Sequence, residues 1–278
     1  MRLGGLVFGD TSTPQKWVEA HRKAGFTAAF CPLANDADET TVRAYAQAAR
    51  AADIVMAEVG VWNNPLDSDK EKAKKALADC RAALALAEKV GARCCVNIAG
   101  SRGRQWDGPH EANLTDETFD MIVDTVRAII DAVKPKRTFY TLEPMPWIYP
   151  DSADSYVSLV RAIDRKAFAV HYDPVNMITS PQKYYTNGAM IRDFVAKLAP
   201  HIRSCHCKDV ILSPKLTTHL DETIPGRGGL DFKTYLTELN RLDRDMPLLV
   251  EHVHTPEDCA EGADHVRKVA AEIGVTLR

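Results

Sequence analysis

Residues 138–173, TFYTLEPMPWIYPDSADSYVSLVRAIDRKAFAVHYD, contain one complete strand–helix–strand unit. TFYTLEP (138–144) and FAVHYD (168–173) are short runs of aromatic and branched residues, and the segment at 152–164 between them reads as a helix. A helical crossover between two strands makes them parallel neighbours in one sheet. The same unit recurs in both directions along the chain. Strand-like runs fall at LGGLVF (3–8), FTAAFC (26–31), IVMAEVGV (54–61), CCVNIAG (94–100), IRSCHCKDV (202–210) and PLLVEHV (247–253), which brings the total to eight. Helical segments lie at 13–24, 38–52, 69–90, 115–134, 187–199, 231–242 and 256–274. Their start signals are Asp67 or Ser68, Thr115 and Thr255-Pro256, and their stop signals are Gly25 and Gly91. Eight unbroken strand–helix units predict an α/β fold, a single (β/α)8 TIM barrel over residues 1–278. An open doubly wound sheet would carry a glycine-rich phosphate loop after an early strand, and the chain has no such pattern.

At 278 residues the chain is long enough for one such barrel. Lys and Arg number 35 against 38 acids, with no basic stripe, which argues against nucleic-acid binding. The opening MRLGGLVFGD lacks the basic and long apolar regions of a signal peptide, and no run is apolar enough to span a membrane. Seven cysteines, an odd number on a chain that needs no staples, predict reduced thiols in a cytoplasm. Cys205 and Cys207 alternate away from His206 along a strand and read as core residues rather than zinc ligands.

Active sites of barrels are built at the carboxyl ends of the strands. In the second half of the chain these ends carry Glu143 (strand five), Asp173 (six), His206 (seven) and Glu251 (eight). Carboxylates are costly among apolar residues unless paired or bound to a cation, so three of them converging with an imidazole predict a divalent-metal site. Mixed oxygen and nitrogen donors suit Mn²⁺ first, with Mg²⁺, Co²⁺ or Zn²⁺ as alternatives. Structural salt bridges are the competing explanation for the acids.

Several words in the sequence, LEP (142–144), DPVN (173–176), HCKD (206–209), PGRGGLDF (225–232) and LLVEH (248–252), carry a family resemblance. The chain resembles the sugar phosphate isomerase/epimerase group of the xylose isomerase-like TIM barrels over essentially its whole length. That group includes D-tagatose 3-epimerase, inosose isomerase and inosose dehydratase. The resemblance implies that Glu143, Asp173, His206 and Glu251 are the metal ligands and that Glu143 and Glu251 form the acid/base pair. It also implies a small sugar-like substrate and, as family barrels are often dimers or tetramers, a homo-oligomer. One departure is Asn176, where members often have a second histidine.

Lys208 shares the face of His206 and is expected to hold a substrate oxygen. Arg227, in a glycine-rich turn, is expected to grip a carboxylate or phosphate. Trp62 is a candidate for stacking on a sugar face, and His171, one layer beneath Asp173, for a bond to a ligand-bearing side chain. Asn176 can still donate from its amide. His252 and His254 alternate away from Glu251 on a regular strand and are set aside. The loop after strand four, with Trp106 and His110, is a candidate lid.

These readings predict a metal-dependent isomerase or epimerase of a keto sugar, polyol or sugar acid, acting through a metal-stabilised enediolate. A dehydratase or decarboxylase using the same groups is the alternative. A non-catalytic sugar-binding barrel ranks below both. A nuclease of the endonuclease IV type would need more histidines at the strand ends.

Overall fold

The computed structural model describes residues 1–278, and the repeating unit read from the sequence closes on itself. The elements in chain order are β1 (Arg2–Gly5), α1 (Pro14–Ala24), β2 (Ala28–Phe30), α2 (Glu39–Ala51), β3 (Val55–Gly60), α3 (Lys70–Val90), β4 (Cys94–Asn97), α4 (Asp116–Val133), β5 (Phe139–Leu142) and α5 (Ala153–Ile163). They continue with β6 (Phe168–Tyr172), α6 (Pro181–Tyr185), α7 (Asn187–Leu198), β7 (Ile202–Cys207), β8 (Asp209–Ser213), β9 (His219–Thr223), α8 (Phe232–Leu239), β10 (Pro247–Val250) and α9 (Pro256–Glu272). The barrel runs β1 to β7 in order, and β10 closes it with parallel pairing to β7 and β1.

Local chemistry sets the helix boundaries. Thr13, Thr115 and Thr255 each accept a backbone N–H from the first turn of the helix they precede, and Pro14 and Pro256 occupy first-turn positions where no N–H is needed. The start of α3 is capped by Asp69, one residue beyond the expected Ser68. Gly4 belongs to the barrel wall, where a Cβ would lie 2.3 Å from the Ala28 carbonyl oxygen, so closure there requires glycine.

The apolar core joins the strands to the surrounding helices. It includes Cys205 and Cys207, and all seven cysteines are free. No helix is long and apolar enough to cross a membrane. One expectation is corrected. The seventh strand does not run to Val210 but stops at Cys207, and the chain then folds into the antiparallel hairpin β8–β9. The signal was present as two short β-type runs around the Ser213-Pro214-Lys215 turn. Asp209 fixes the base of this excursion. Its Oδ1 accepts from the Val210 and Leu230 N–H groups at 2.8 and 2.9 Å, and its Oδ2 from Gly226 and Gly228 at 3.0 and 2.9 Å.

Candidate metal centre

Glu143, Asp173 and Glu251 each follow directly on the last residue of β5, β6 and β10, and His206 is the penultimate residue of β7. One donor atom from each of the four lies within 4.8 Å of the others. His206 Nδ1 stands 3.0 Å from Glu143 Oε1 and 2.8 Å from Glu251 Oε2. Asp173 is held through Oδ1, which accepts the Val175 and Asn176 N–H groups at 2.8 and 3.3 Å. That leaves Asp173 Oδ2 turned toward the cluster. It and Glu251 Oε1 are buried and accept no hydrogen bond, although Lys208 Nζ lies 3.0 and 3.1 Å away as a charge contact. Buried carboxylate oxygens without a donor, beside an imidazole nitrogen, are what a hard divalent cation would satisfy. The donor set fits such an ion.

Beneath His206 lies a residue to which the sequence reading gave no role. Glu58, fully buried in β3, brings Oε1 to 3.0 Å from His206 Nε2, while its Oε2 meets His171 Nε2 at 3.1 Å and accepts the Ser204 hydroxyl at 2.9 Å. A carboxylate can only accept, so His206 donates from Nε2 and its Nδ1 is the nitrogen left to face a cation. Glu58 reaches this place because the β2–β3 register shifts between Ala29 and Phe30, which pairs Phe30 with Glu58.

The electrostatics follow from burial opposed by close charges. Burial would raise the Glu58 carboxyl, but His206 and His171 hold it well below the carboxylate range. Glu251 is likewise held down by His206 and Lys208 against the effect of burial. Burial would drive the proton from His206, yet Glu251, Glu58 and Glu143 around the ring keep the imidazolium favoured well above its ordinary range. Asp173 goes the other way. Burial pushes it up to about 8 against the pull of Lys208, with repulsion from Glu143 and Glu251 adding to the rise. Without an ion, the His206 proton and the Lys208 ammonium therefore balance the acids, and cation binding would displace the Nδ1 proton.

A cavity of about 550 Å³ opens above the cluster. Glu143, Glu251, Lys208, Trp62 and Asn176 all line it, and the Asn176 amide donates to Glu143 Oε1 at 3.2 Å. The Trp62 ring lies 6.3 Å from the ring of His206, centroid to centroid. Trp106 of the β4–α4 loop is also in the wall, whereas His110 is not. His171 does not reach the cavity. It is fully buried against Glu58, so it supports the floor rather than touching a substrate. Arg227 is corrected too. Its guanidinium leaves the mouth to form a two-pronged ion pair with Glu261 on α9, and the cavity wall lacks it.

Two wall residues were missed. Glu222, carried in by the hairpin, contacts Lys208 Nζ at 2.7 Å, and Lys208 and His252 together hold its carboxyl down at about 2 against burial. His252 was set aside on the premise of a regular strand, but β10 ends at Val250 and His252 adopts a φ of 53°. It lines the cavity and pairs with Glu222. Histidine tolerates that left-handed conformation better than most residues, but nothing in the local sequence marks where the strand stops.

A barrel whose last strands deliver three carboxylates and a histidine to one mouth defines the class. The family model for the xylose isomerase-like TIM barrel matches residues 18–269, and the chain belongs to that family. Among solved structures, endonuclease IV from Thermus thermophilus superposes with a TM-score of 0.72 at 14% identity, covering 98% of this chain and 100% of that one. D-psicose 3-epimerase with D-tagatose, from Clostridium cellulolyticum, gives 0.68 at 14% identity over 99% and 100%. A xylose isomerase-like TIM barrel protein from Mycobacterium smegmatis in complex with magnesium gives 0.65 at 16% identity over 95% and 90%. At such identities the likeness shows the fold. Among curated proteins, no sequence matches this chain.

Proposed function

We propose that this chain is a divalent-metal-dependent isomerase or epimerase acting on a small keto sugar, polyol or sugar acid. The observation that carries the reading is the convergence of Glu143, Asp173, His206 and Glu251 at one barrel mouth, with two buried carboxylate oxygens lacking a donor. These four residues would hold the ion, Mn²⁺ being the first choice and Mg²⁺, Co²⁺ or Zn²⁺ the alternatives. When bound, a divalent cation supplies charge stabilisation for the oxygen next to the carbon that loses its proton.

The chain's own residues do the rest. Glu251, whose Oε1 accepts no hydrogen bond, is placed to take a proton from carbon next to a carbonyl. Glu143, whose Oε1 lies 3.0 Å from His206 Nδ1 and accepts from the Asn176 amide, would return it. Lys208, 3.1 Å from Glu251 Oε1, helps to keep that carboxylate charged and offers an ammonium to a substrate oxygen. Phe30, Trp62 and Trp106 offer that face of the cavity an apolar surface for the carbon skeleton of a substrate.

The test is proton exchange. With Mn²⁺ supplied in deuterated water, a panel of ketoses should include one that gains a carbon-bound deuterium without losing mass elsewhere, and chelation should stop the exchange. No exchange across the panel, with metal bound by calorimetry, would overturn the reading. A lyase is the second reading, because Asn176 departs from the histidine often found there among the ketose epimerases this chain resembles. It would share the first proton transfer and then release water or CO₂, seen as a mass loss. A nuclease is not favoured. The cavity residues contributed around the ends of the first four strands are Leu6, Phe30, Cys31, Glu58, Gly60, Trp62 and Ile98, with no histidine among them.

A further inference from the structure

Polar groups line only part of the cavity above the metal cluster. Glu143, Asn176, Lys208, Glu222, Glu251 and His252 come from the second half of the barrel, whereas the first half contributes Leu6, Phe30, Trp62, Ile98 and Trp106, with Glu58 and Asp107 as its only acids. A free sugar presents hydroxyls all round, and each one buried against an apolar wall loses its hydrogen bonds to water. The polar side suits a sugar, but the cavity does not stop there. A second cavity of about 480 Å³ adjoins the first and shares Met145, Asn176 and Glu222 with it. Its further walls are Pro146, Trp147, Val175, Ile178, Val210 and Leu220, drawn from the β5 loop, the β6 loop and the β8–β9 hairpin. The indole of Trp147 is fixed by donating to the Asp107 carbonyl at 2.7 Å.

The opposite neighbour differs. A cavity of about 330 Å³ beyond Trp62 and Trp106 is lined by Lys72, Lys75, Asp67 and Asp79. The surface of the barrel mouth as a whole is also rich in exposed apolar side chains. Each of the eight large hydrophobic side chains exposed on the protein, from Leu6 to Leu216, lies between the end of a barrel strand and the long outer helix that follows it, Tyr185 on the short α6 and Ile211 on β8. A monomeric protein normally scatters such residues.

We propose that the second cavity is a subsite for an apolar, aromatic substituent, so that a sugar-like group conjugated to a ring binds more tightly than the same sugar without one. The indole face and the methionine thioether are both suited to an aromatic ring. This rests on the functional reading above only for the sugar end.

The test uses the full chain loaded with Mn²⁺ and titrated calorimetrically with methyl and phenyl β-D-glucopyranoside. The phenyl compound should bind at least about tenfold more tightly, as burial of a ring predicts. Thr179→Trp, at an exposed position on the rim of the second cavity, should fill it and erase the gain while the methyl compound binds as before. Leu220→Ser should reduce the gain without filling the space. Equal affinities, no binding of the phenyl compound, or a gain that survives Thr179→Trp would overturn the subsite. Deuterium exchange separates the two readings. A chain that shows the gain but exchanges no proton keeps the subsite and loses the isomerase, and the converse result does the reverse.

Discussion

The two halves of the barrel mouth are built from the same repeating unit and do different work. From β5 onward, the strand ends deliver Glu143, Asp173, His206, Lys208 and Glu251, linked by charge contacts that run from Glu143 through His206, Glu251 and Lys208 to Asp173. From β1 to β4, the corresponding positions deliver Leu6, Phe30, Trp62 and Ile98 to the same cavity. One half supplies charge and the other a mostly apolar wall. Mutual attraction holds the charged half together, since each acid there would be costly if buried alone. The apolar half lowers the local dielectric and so strengthens those attractions. Glu58 is the exception that joins them, a first-half residue whose carboxylate supports the second-half histidine from below.

The sharpest way to break the contrast is Glu251→Gln. Exchange of substrate protons should fall by about 10²- to 10⁴-fold, with the circular dichroism spectrum unchanged, because the amide keeps the shape and loses the base. Retained activity would remove Glu251 from the chemistry. Next in size is Glu58→Gln. A single amide oxygen cannot accept from both histidines and Ser204, so His206 loses its enforced tautomer, and Mn²⁺ affinity by calorimetry should weaken by about 10- to 100-fold. Unchanged affinity would return Glu58 to a purely structural part. Trp62→Ala, in the apolar half, should raise KM roughly fivefold, about 1 kcal/mol, and leave kcat nearly unchanged, as expected for uniform binding. A fall in kcat alone would place that wall in the reaction. Smallest is Arg227→Ala. Its guanidinium is half exposed and already paired with Glu261, so KM should stay within about twofold and stability within about 1 kcal/mol. A large KM effect would mean that the turn swings inward with substrate.

The sequence carried the barrel because the strand–helix alternation is a local signal repeated eight times, and each helix is bounded by caps such as Thr115 or stops such as Gly91. The four cluster residues were legible for a related reason. A charged residue closing an apolar run stands out, and parallel strands bring their ends to one rim. What stayed hidden depends on register and on breaks in regularity. Glu58 acquires its role from a shift between neighbouring strands that alternation within one strand does not encode. His252 turns inward because β10 stops two residues earlier. Glu222 arrives on a hairpin hidden inside what reads as one long strand, and Arg227 is drawn off by a glutamate 34 positions away in sequence.

The Trp62 indole, poised near the His206 imidazole, gives the molecule an optical reporter of its own. Manganese and cobalt quench indole emission at short range, and of the four tryptophans Trp17 is shut away against His21 and Tyr45. Ion loading should therefore dim the indoles around the barrel mouth, Trp62 foremost, and leave Trp17 emitting, and a ligand sliding over the mouth should shift the colour of what remains, so that occupancy can be followed in unlabelled protein.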